Sequence, residues 1–179
     1  MDRQIRELGL GDIDPVINYF LEADDDFLKI MGVDRKKLPA KGEWRKLILE
    51  EFDRSISSKK CFYLIWVLDG KPVGHSSINK IDYGNEAYMH LHLWDQDKRQ
   101  SGNGKYFAEK CIAMYFKLFK LEKLFCEPHA LNPGVNKMLE KIGFDFVKKY
   151  DTVPGWINFH QPVNRWVLPK EKFAKADNG

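Results

Sequence analysis

The sequence has little of what marks secreted, membrane-spanning or zinc-binding proteins. Its 179 residues include only three cysteines, Cys61, Cys111 and Cys126, which lie in apolar segments without CxxC spacing. That pattern favours reduced, buried thiols over a disulfide framework or a zinc site, and nothing else predicts a metal. No run of about 18 apolar residues is present to span a bilayer, and the N-terminus lacks the apolar core of a signal peptide. We therefore expect a cytoplasmic protein with no membrane partner.

The sequence also lacks an excess of charge of one sign. Lys and Arg total 29 against 26 Asp and Glu, which gives a formal net charge of +3. So small a surplus predicts no nucleic-acid partner. Hydrophobic residues make up 44% of the chain, enough for one core, and no repeat or low-complexity linker divides it. We predict a single domain over residues 1–170, followed by a C-terminal tail at 171–179.

Hydrophobic periodicity predicts both helices and strands. Apolar residues recur at helical spacing in four segments, and alternating or continuous apolar runs occupy seven shorter ones. The predicted helices lie near residues 13–21, 43–56, 102–120 and 132–141. The predicted strands lie near residues 5–10, 61–68, 72–78, 87–94, 123–128, 144–150 and 164–168. The predicted fold class is α+β, with a central, mostly antiparallel sheet of about seven strands flanked by about four helices.

The predicted strand AYMHLHLW, residues 87–94, has two chemically different faces. Met89, Leu91 and Leu93 alternate with aromatic and imidazole side chains, among them His90 and His92. An imidazole has an unperturbed pKa of about 6.5, so it can accept a proton at cellular pH. One face of a half-exposed strand also explains both histidines, so a catalytic role is one of two interpretations.

The segment that follows, RQSGNGKYF, places two glycines one residue apart where a strand gives way to a helix. Glycines let backbone N–H groups approach a ligand closely, and the first helical turn carries unpaired donors at the positive end of the helix dipole. This combination suits a phosphate group, to which Arg99 and Lys105 would add positive charge. An ordinary strand-to-helix turn is the alternative.

The order of the segments extends this pattern. Asn132-Pro133 predicts the capped start of a helix, and Gly143-Phe144 predicts its end. Strand, Arg-x-x-Gly-x-Gly, long helix, strand, capped helix and Gly-Phe follow one another over about residues 60–150. This order resembles the acyl-CoA-dependent GNAT superfamily of N-acetyltransferases, and the stretch Arg99 to Gly104 is similar to its pyrophosphate loop.

The resemblance implies a fold, a co-substrate and a reaction. In that superfamily the fourth and fifth strands splay apart, the pantetheine arm inserts between them, and an amine attacks the thioester directly. We therefore expect acetyl-CoA, or another short acyl-CoA, as co-substrate. The resemblance implies cofactor-binding roles for ten residues: Leu93, Trp94, Arg99, Gln100, Ser101, Gly102, Asn103, Gly104, Lys105 and Asn132.

Two further marks resemble a narrower branch, the siderophore-building lysine N-acyltransferases and some aminoglycoside acetyltransferases. They are His90 and the segment EPHALN, which begins at Glu127 and is similar to that branch's acid-Pro-x-x-x-Asn element. The resemblance implies that His90 is the general base, and that Glu127 orients the imidazole or accepts the proton through water. A surface carboxylate is the alternative for Glu127, and a simple helix cap is the alternative for Asn132.

The sequence says least about the acceptor. Asp24, Asp25 and Asp26 follow the first predicted helix, where the superfamily's corresponding loop borders the acceptor pocket. We assign these three and His92 to substrate binding, because a carboxylate cluster attracts a cationic amine. A solvated helix end is the alternative. The predicted acceptor is a primary amine or hydroxylamine of a small molecule, with a protein N-terminus as the alternative.

One departure from the superfamily pattern concerns the leaving group. Many members carry a tyrosine in the last helix as general acid toward the thiolate. Its place near Leu139 holds the residues Met138-Leu139-Glu140 here. The missing phenol leaves open a non-catalytic acyl-CoA-binding role, and the sequence does not separate a monomer from a homodimer.

Overall fold

The computed structural model describes residues 2–94 and 102–177. Its centre is a seven-stranded sheet in the order β1-β2-β3-β4-β5-β7-β6, in which only β4 and β5 are parallel neighbours. The strands are β1 (Arg3–Glu7), β2 (Cys61–Leu68), β3 (Lys71–Asp82), β4 (Glu86–Leu93), β5 (Lys123–Cys126), β6 (Asp145–Thr152) and β7 (Gln161–Pro169). The helices are α1 (Ile13–Leu21), α2 (Asp25–Met31), α3 (Lys41–Glu50), α4 (Asn103–Phe119), α5 (Pro133–Ile142) and α6 (Lys170–Asp177). The predicted α+β class and its mostly antiparallel sheet are confirmed.

Two of these helices lie where the sequence predicts none. Helix α2 forms between the first two predicted helices, and it ends at Gly32, whose φ is +74°. Helix α6 occupies most of the expected tail, where the ring of Phe173 packs 5.8 Å from that of Phe116. The domain boundary at residue 170 stays a prediction. No helix among the described residues is long and apolar enough to cross a membrane.

The two faces of the sheet pack against different helices. On one face, Met89 is fully buried with Phe107 of α4 and Leu139 of α5. On the other, Phe20 of α1 is buried with Trp44 of α3. The strand alternation predicted for β4 is therefore confirmed, because its aliphatic side chains face α4 and its imidazoles face α1.

The sheet opens between its two parallel strands. The last residues that pair β4 with β5 are Tyr88 and Phe125. Beyond that pair β4 stays with β3 to its end, where the Trp94 N–H donates to the Val73 carbonyl at 2.9 Å. The splay that the family resemblance implies for these two strands is therefore confirmed. The gap begins directly after Tyr88.

After β5 the chain keeps its pairing with β7 and ends its pairing with β4. The Asn164 N–H donates to the Pro128 carbonyl at 3.1 Å, and the Ala130 N–H donates to the Pro162 carbonyl at 2.9 Å. These contacts hold the segment after β5 on β7, and an open wedge lies between this segment and β4.

Candidate functional site

A cavity of about 1060 Å³ occupies the wedge between β4 and β5. Its wall runs from the N-terminus of α4, past both strands and the start of α5, to α1, α2, α3 and segment 154–161. The lining includes eight of the residues that the sequence assigns to the site: His90, His92, Leu93, Gly102, Gly104, Lys105, Glu127 and Asn132. The predicted loop residues Arg99, Gln100 and Ser101 lie outside the described residues.

The half-buried His90 is held by a side chain from the neighbouring strand. Its Nε2 lies 3.1 Å from Oδ1 of Asn79 on β3. An amide oxygen only accepts, so Nε2 carries the proton and Nδ1 keeps a lone pair. Burial, with a smaller effect from the charge of Lys80, lowers the pKa of His90 to about 4. The imidazole is therefore neutral, and able to accept a proton, at cellular pH.

Asn79 is a site residue that the sequence analysis missed. In the β3–β4 ladder His90 pairs with Ser77, and Asn79 pairs with Tyr88, so the contact between Asn79 and His90 is diagonal. Side chains in diagonal cross-strand positions are within reach of each other only when the register is right. The sequence carries no local signal of that register.

His92 is part of a packed group of rings. Its ring stacks on that of His75 with centroids 4.7 Å apart, and meets Tyr19 and Phe20 of α1 edge-on. His75 is 1% exposed, and burial lowers its pKa to about 3. His92 therefore contributes a flat aromatic surface to the cavity wall.

The predicted cofactor residue Trp94 has both of its N–H donors bonded to β3. Its indole Nε1 donates to Nδ1 of His75 at 2.8 Å, and its backbone N–H is bonded to Val73. Both donors are therefore engaged with β3. Because backbone groups alternate along an antiparallel ladder, the N–H groups of Leu91 and Leu93 point the other way, into the gap. Leu93 remains in its predicted place.

Glu127 has partners other than the one expected. Its Oε1 accepts from the Tyr150 hydroxyl at 2.5 Å and lies 3.2 Å from Nε of Arg165, and its side chain is only 6% exposed. Burial, together with the hydrogen bond to Glu127, raises the pKa of Tyr150 to about 12. Among the described residues no hydrogen bond joins Glu127 to His90, so the orienting role expected of Glu127 falls to Asn79. Tyr150 and Arg165 come from β6 and β7, and no sequence signal linked them to Glu127.

Helix α4 begins where the sequence predicts, directly after Gly102. Gly102 caps the helix with φ +77°, and a Cβ on Gly104 would lie 3.6 Å from Sδ of Met138, so α4 and α5 approach closely there. Asn103 is 2% exposed and does not line the cavity, which restricts its predicted role to its backbone. Lys105 lines the cavity, but its Nζ is bonded to Glu109 Oε1 at 2.5 Å.

Asn132 begins α5 as predicted. Its Oδ1 accepts from the Val135 N–H at 3.4 Å, Pro133 occupies the first turn, and Gly143 ends the helix with φ +106°. The side chain also borders the cavity, so the cap and a ligand role are compatible. Leu139 is fully buried, and the helix sequence PGVNKMLEKI contains no tyrosine.

Cys126 lies at the fork between the two strands. Its thiol donates to the Met89 carbonyl at 3.1 Å, and burial raises its pKa to about 12. A thiol that stays protonated is a poor nucleophile. The predicted direct attack, without a covalent enzyme intermediate, agrees with this environment.

The predicted acidic cluster lies outside the cavity lining. Asp24 caps α2 by accepting from the Phe27 N–H at 2.7 Å, and Asp25 forms an ion pair with Arg35. All three carboxylates, including that of Asp26, are exposed to solvent. Helix α2 instead contributes apolar side chains to the cavity, those of Phe27, Ile30 and Met31, and the substrate-binding assignment of the three carboxylates stays a prediction.

Residues 27–144, more than half of the chain, match the family model described as the acetyltransferase (GNAT) family. The chain belongs to this family, as the sequence predicts. It is an acyl-CoA-dependent N-acetyltransferase, and its co-substrate is acetyl-CoA.

Solved structures of amine acetyltransferases share the fold. A spermidine N-acetyltransferase from Vibrio cholerae, in complex with CoA and spermine, superimposes with a TM-score of 0.78 at 15% identity, covering 96% of this chain and 98% of that one. An aminoglycoside acetyltransferase in complex with coenzyme A gives 0.74 at 13% identity, with coverage of 98% and 99%. At these identities the likeness is one of fold. A comparison with curated protein sequences gives no match.

Proposed function

We propose that the protein transfers an acetyl or other short acyl group from acyl-CoA to a primary amine or hydroxylamine of a small molecule, within a ternary complex. One observation carries this proposal. A single cavity runs from the N-terminus of α4, through the wedge between β4 and β5, to the space under α1, α2 and α3, and His90 lies along its wall.

The cofactor end of this cavity fits a CoA ester. The first turn of α4 presents backbone N–H groups behind Gly102, which suits a diphosphate. Leu91 and Leu93 direct N–H groups into the gap, where they can pair with the amides of a pantetheine arm or stabilise a developing oxyanion. Asn132 borders the same space from the start of α5.

The proposed chemistry uses His90 as the base. Bound acetyl-CoA supplies the thioester carbonyl, at which the carbon–nitrogen bond forms as the carbon–sulfur bond breaks. Nδ1 of His90 takes the proton that the attacking amine loses, while Asn79 holds Nε2–H in place. Proton transfer of this kind contributes about 10²–10⁴-fold to the rate. Because α5 offers no phenol, the departing sulfur takes its proton from solvent.

Glu127 acts in this proposal as a positioning group rather than as a second base. Its ion pair with Arg165 and its hydrogen bond from Tyr150 tie β5 to β6 and β7 at the edge of the wedge. Arg165 in turn donates to the Tyr88 hydroxyl on β4. This network supports the two strands at the point where they part.

Release of CoA from acetyl-CoA across a panel of amines tests the proposal. We expect His90→Ala to lower kcat by about 10²–10⁴-fold, because the amine then loses its proton unaided. Acetyl-CoA should still raise the melting temperature of this variant, because the diphosphate site is unchanged. His160→Ala, an exposed histidine outside the cavity lining, is the matched control and should behave as the parent.

Two outcomes would contradict the assignment. Unchanged turnover in His90→Ala would exclude it as the base. Loss of turnover in Glu127→Gln, with turnover kept in His90→Ala, would exchange the two roles. Preference for a peptide N-terminus over every small amine would favour the alternative acceptor.

A further inference from the structure

A row of aromatic rings lines the acceptor end of the cavity. The ring of Trp156 lies 5.8 Å from that of Trp44, Trp44 lies 5.3 Å from Phe20, and Phe20 lies 5.1 Å from His92. All four side chains border the cavity. The row thus runs from Trp156, which is exposed at the rim, to His92 on β4. His90 lies on the same strand, two positions earlier.

The rim of this end is apolar as well. Ile30 of α2 is 53% exposed, Leu47 of α3 is 47% exposed and Trp156 is 55% exposed, and all three line the cavity. Large apolar side chains from three separate elements therefore face solvent around one opening. Covering them with an apolar ligand is favourable, because it removes apolar surface from water.

Few carboxylates here are available to a cationic ligand. Three line the cavity among the described residues, those of Glu50, Glu51 and Glu127. Glu51 lies 2.9 Å from Nε of Arg54 and accepts from the Lys60 N–H at 2.8 Å, and Glu127 is paired with Arg165. Glu50 is exposed at the end of α3. Two of the three are therefore already neutralised within the protein.

The described part of the lining carries more positive than negative side chains. Its cations are Arg54, Lys60, Lys105, Lys137 and Lys141. Arg54 is paired with Glu51, and the three lysines of α4 and α5 lie at the cofactor end. Within the described lining, a ligand with several ammonium groups would therefore find one exposed carboxylate, that of Glu50. A single ammonium can instead be accommodated by the faces of the aromatic rings, which attract cations.

We infer that the acceptor is a primary monoamine attached to an aromatic or comparably apolar body, rather than a polyamine or an aminoglycoside. The inference rests on the proposed function. The apolar body lies against Trp44 and Trp156, and the amine reaches past Phe20 and His92 toward His90. This class differs from the polycationic ligand present in the spermidine N-acetyltransferase complex.

The test compares amines in two assays. Initial rates of CoA release are measured with tryptamine, ethylamine, spermidine and kanamycin, and binding of the same amines to the protein saturated with CoA is measured by calorimetry. We expect kcat/KM for tryptamine to exceed that for spermidine by at least about tenfold, with matching order in the binding constants.

A pair of variants locates the effect. Trp156→Ala should reduce the preference for tryptamine over ethylamine by about tenfold, through KM rather than kcat, because a ring contact is lost from the bound state. Phe146→Ala removes an equally exposed ring, 54% exposed, from β6 outside the cavity lining, and should leave that preference unchanged.

The outcomes separate the inference from the proposed function. Preferred turnover of spermidine or kanamycin supports the proposed function and overturns the inference. Tight binding of tryptamine without turnover of any amine supports the inference and overturns the proposed function. Absence of both binding and turnover for tryptamine overturns the inference, as does an unchanged preference in Trp156→Ala.

Discussion

At the scale of single residues, the proposed base depends on a neighbour from another strand. Asn79 accepts from Nε2 of His90, and this leaves Nδ1 as the atom that receives a proton. The low pKa of His90 follows from burial and from the charge of Lys80. A neutral Asn79 keeps that pKa low, whereas a carboxylate at this position would stabilise the imidazolium.

Replacement of Asn79 tests this arrangement. We expect Asn79→Asp to move the acidic limb of the kcat profile upward by about 1–3 pH units, because a neighbouring carboxylate favours the charged imidazole. Asn79→Leu, of similar size, should lower kcat by about tenfold by freeing the tautomer. Nitrogen chemical shifts of His90 report the tautomer directly. A pH profile that both variants leave in place would show that Asn79 has a structural role only.

Some residues of the candidate site could be predicted from the sequence alone, and others could not. The strand period singled out His90, because alternation places its side chain opposite the aliphatic face. The same reasoning could not find Asn79, Tyr150 or Arg165. Each reaches the site through strand pairing over a long stretch of chain, and pairing register has no local signature.

At the scale of elements, the start of α4 carries the proposed diphosphate site. Its geometry depends on Gly102, which adopts a φ of +77° that L side chains rarely occupy. A Cβ at this position would meet no heavy atom of the described residues within 4 Å. With respect to those residues, a side chain there costs backbone strain and causes no clash.

Gly70 offers a matched control for a change at Gly102. It has the same φ of +77° and equally open space, in the turn between β2 and β3. We expect Gly102→Ala and Gly70→Ala each to lower the free energy of unfolding by about 1–2 kcal/mol. Only Gly102→Ala should raise KM for acetyl-CoA, by about tenfold, because its first-turn N–H groups shift away from the diphosphate. Equal KM values in the two variants would place the diphosphate elsewhere.

The wedge between β4 and β5 also belongs to the element scale. Over Lys123–Phe125 the strand β5 pairs with β4 on one edge and with β7 on the other. After β5 only the pairing with β7 continues, and β4 continues beside β3. The family resemblance implied this splay, but the bonds at Pro128 and Ala130 that hold the segment on β7 are visible only in the folded chain.

At the scale of the whole molecule, folding keeps the imidazoles of His75 and His90 uncharged. Burial lowers the pKa of His75 to about 3 and is the main cause that lowers the pKa of His90 to about 4. In the unfolded chain both return to an ordinary pKa of about 6.5. Below that pH the unfolded chain binds protons that the folded chain does not, so the stability falls as the pH falls.

Urea unfolding between pH 7 and pH 5 measures this dependence. Each imidazole should add up to about 1.4 kcal/mol per pH unit to the slope below its unfolded pKa. His90→Gln should make the slope shallower by about that amount. This window lies above the range in which carboxylates titrate, so the slope reports the histidines. An equal slope in parent and variant would mean that folding does not lower the pKa of His90.

By itself, the sequence determined what depends on neighbours along the chain. The two faces of β4, the start of α4 at Gly102 and the cap at Asn132 follow from side-chain period and backbone preference, and all three are confirmed. The family also followed, since its pattern is a linear order of such local elements.

The tertiary structure alone decided which groups meet. It placed the acidic residues at the start of α2 outside the cavity lining, directed the donors of Trp94 toward β3 and paired Glu127 with Arg165. It also assembled the row of rings from Trp156 to His92. Contacts of this kind join segments far apart in the chain. Their energies depend on strand register and helix packing, which emerge only when the core is complete.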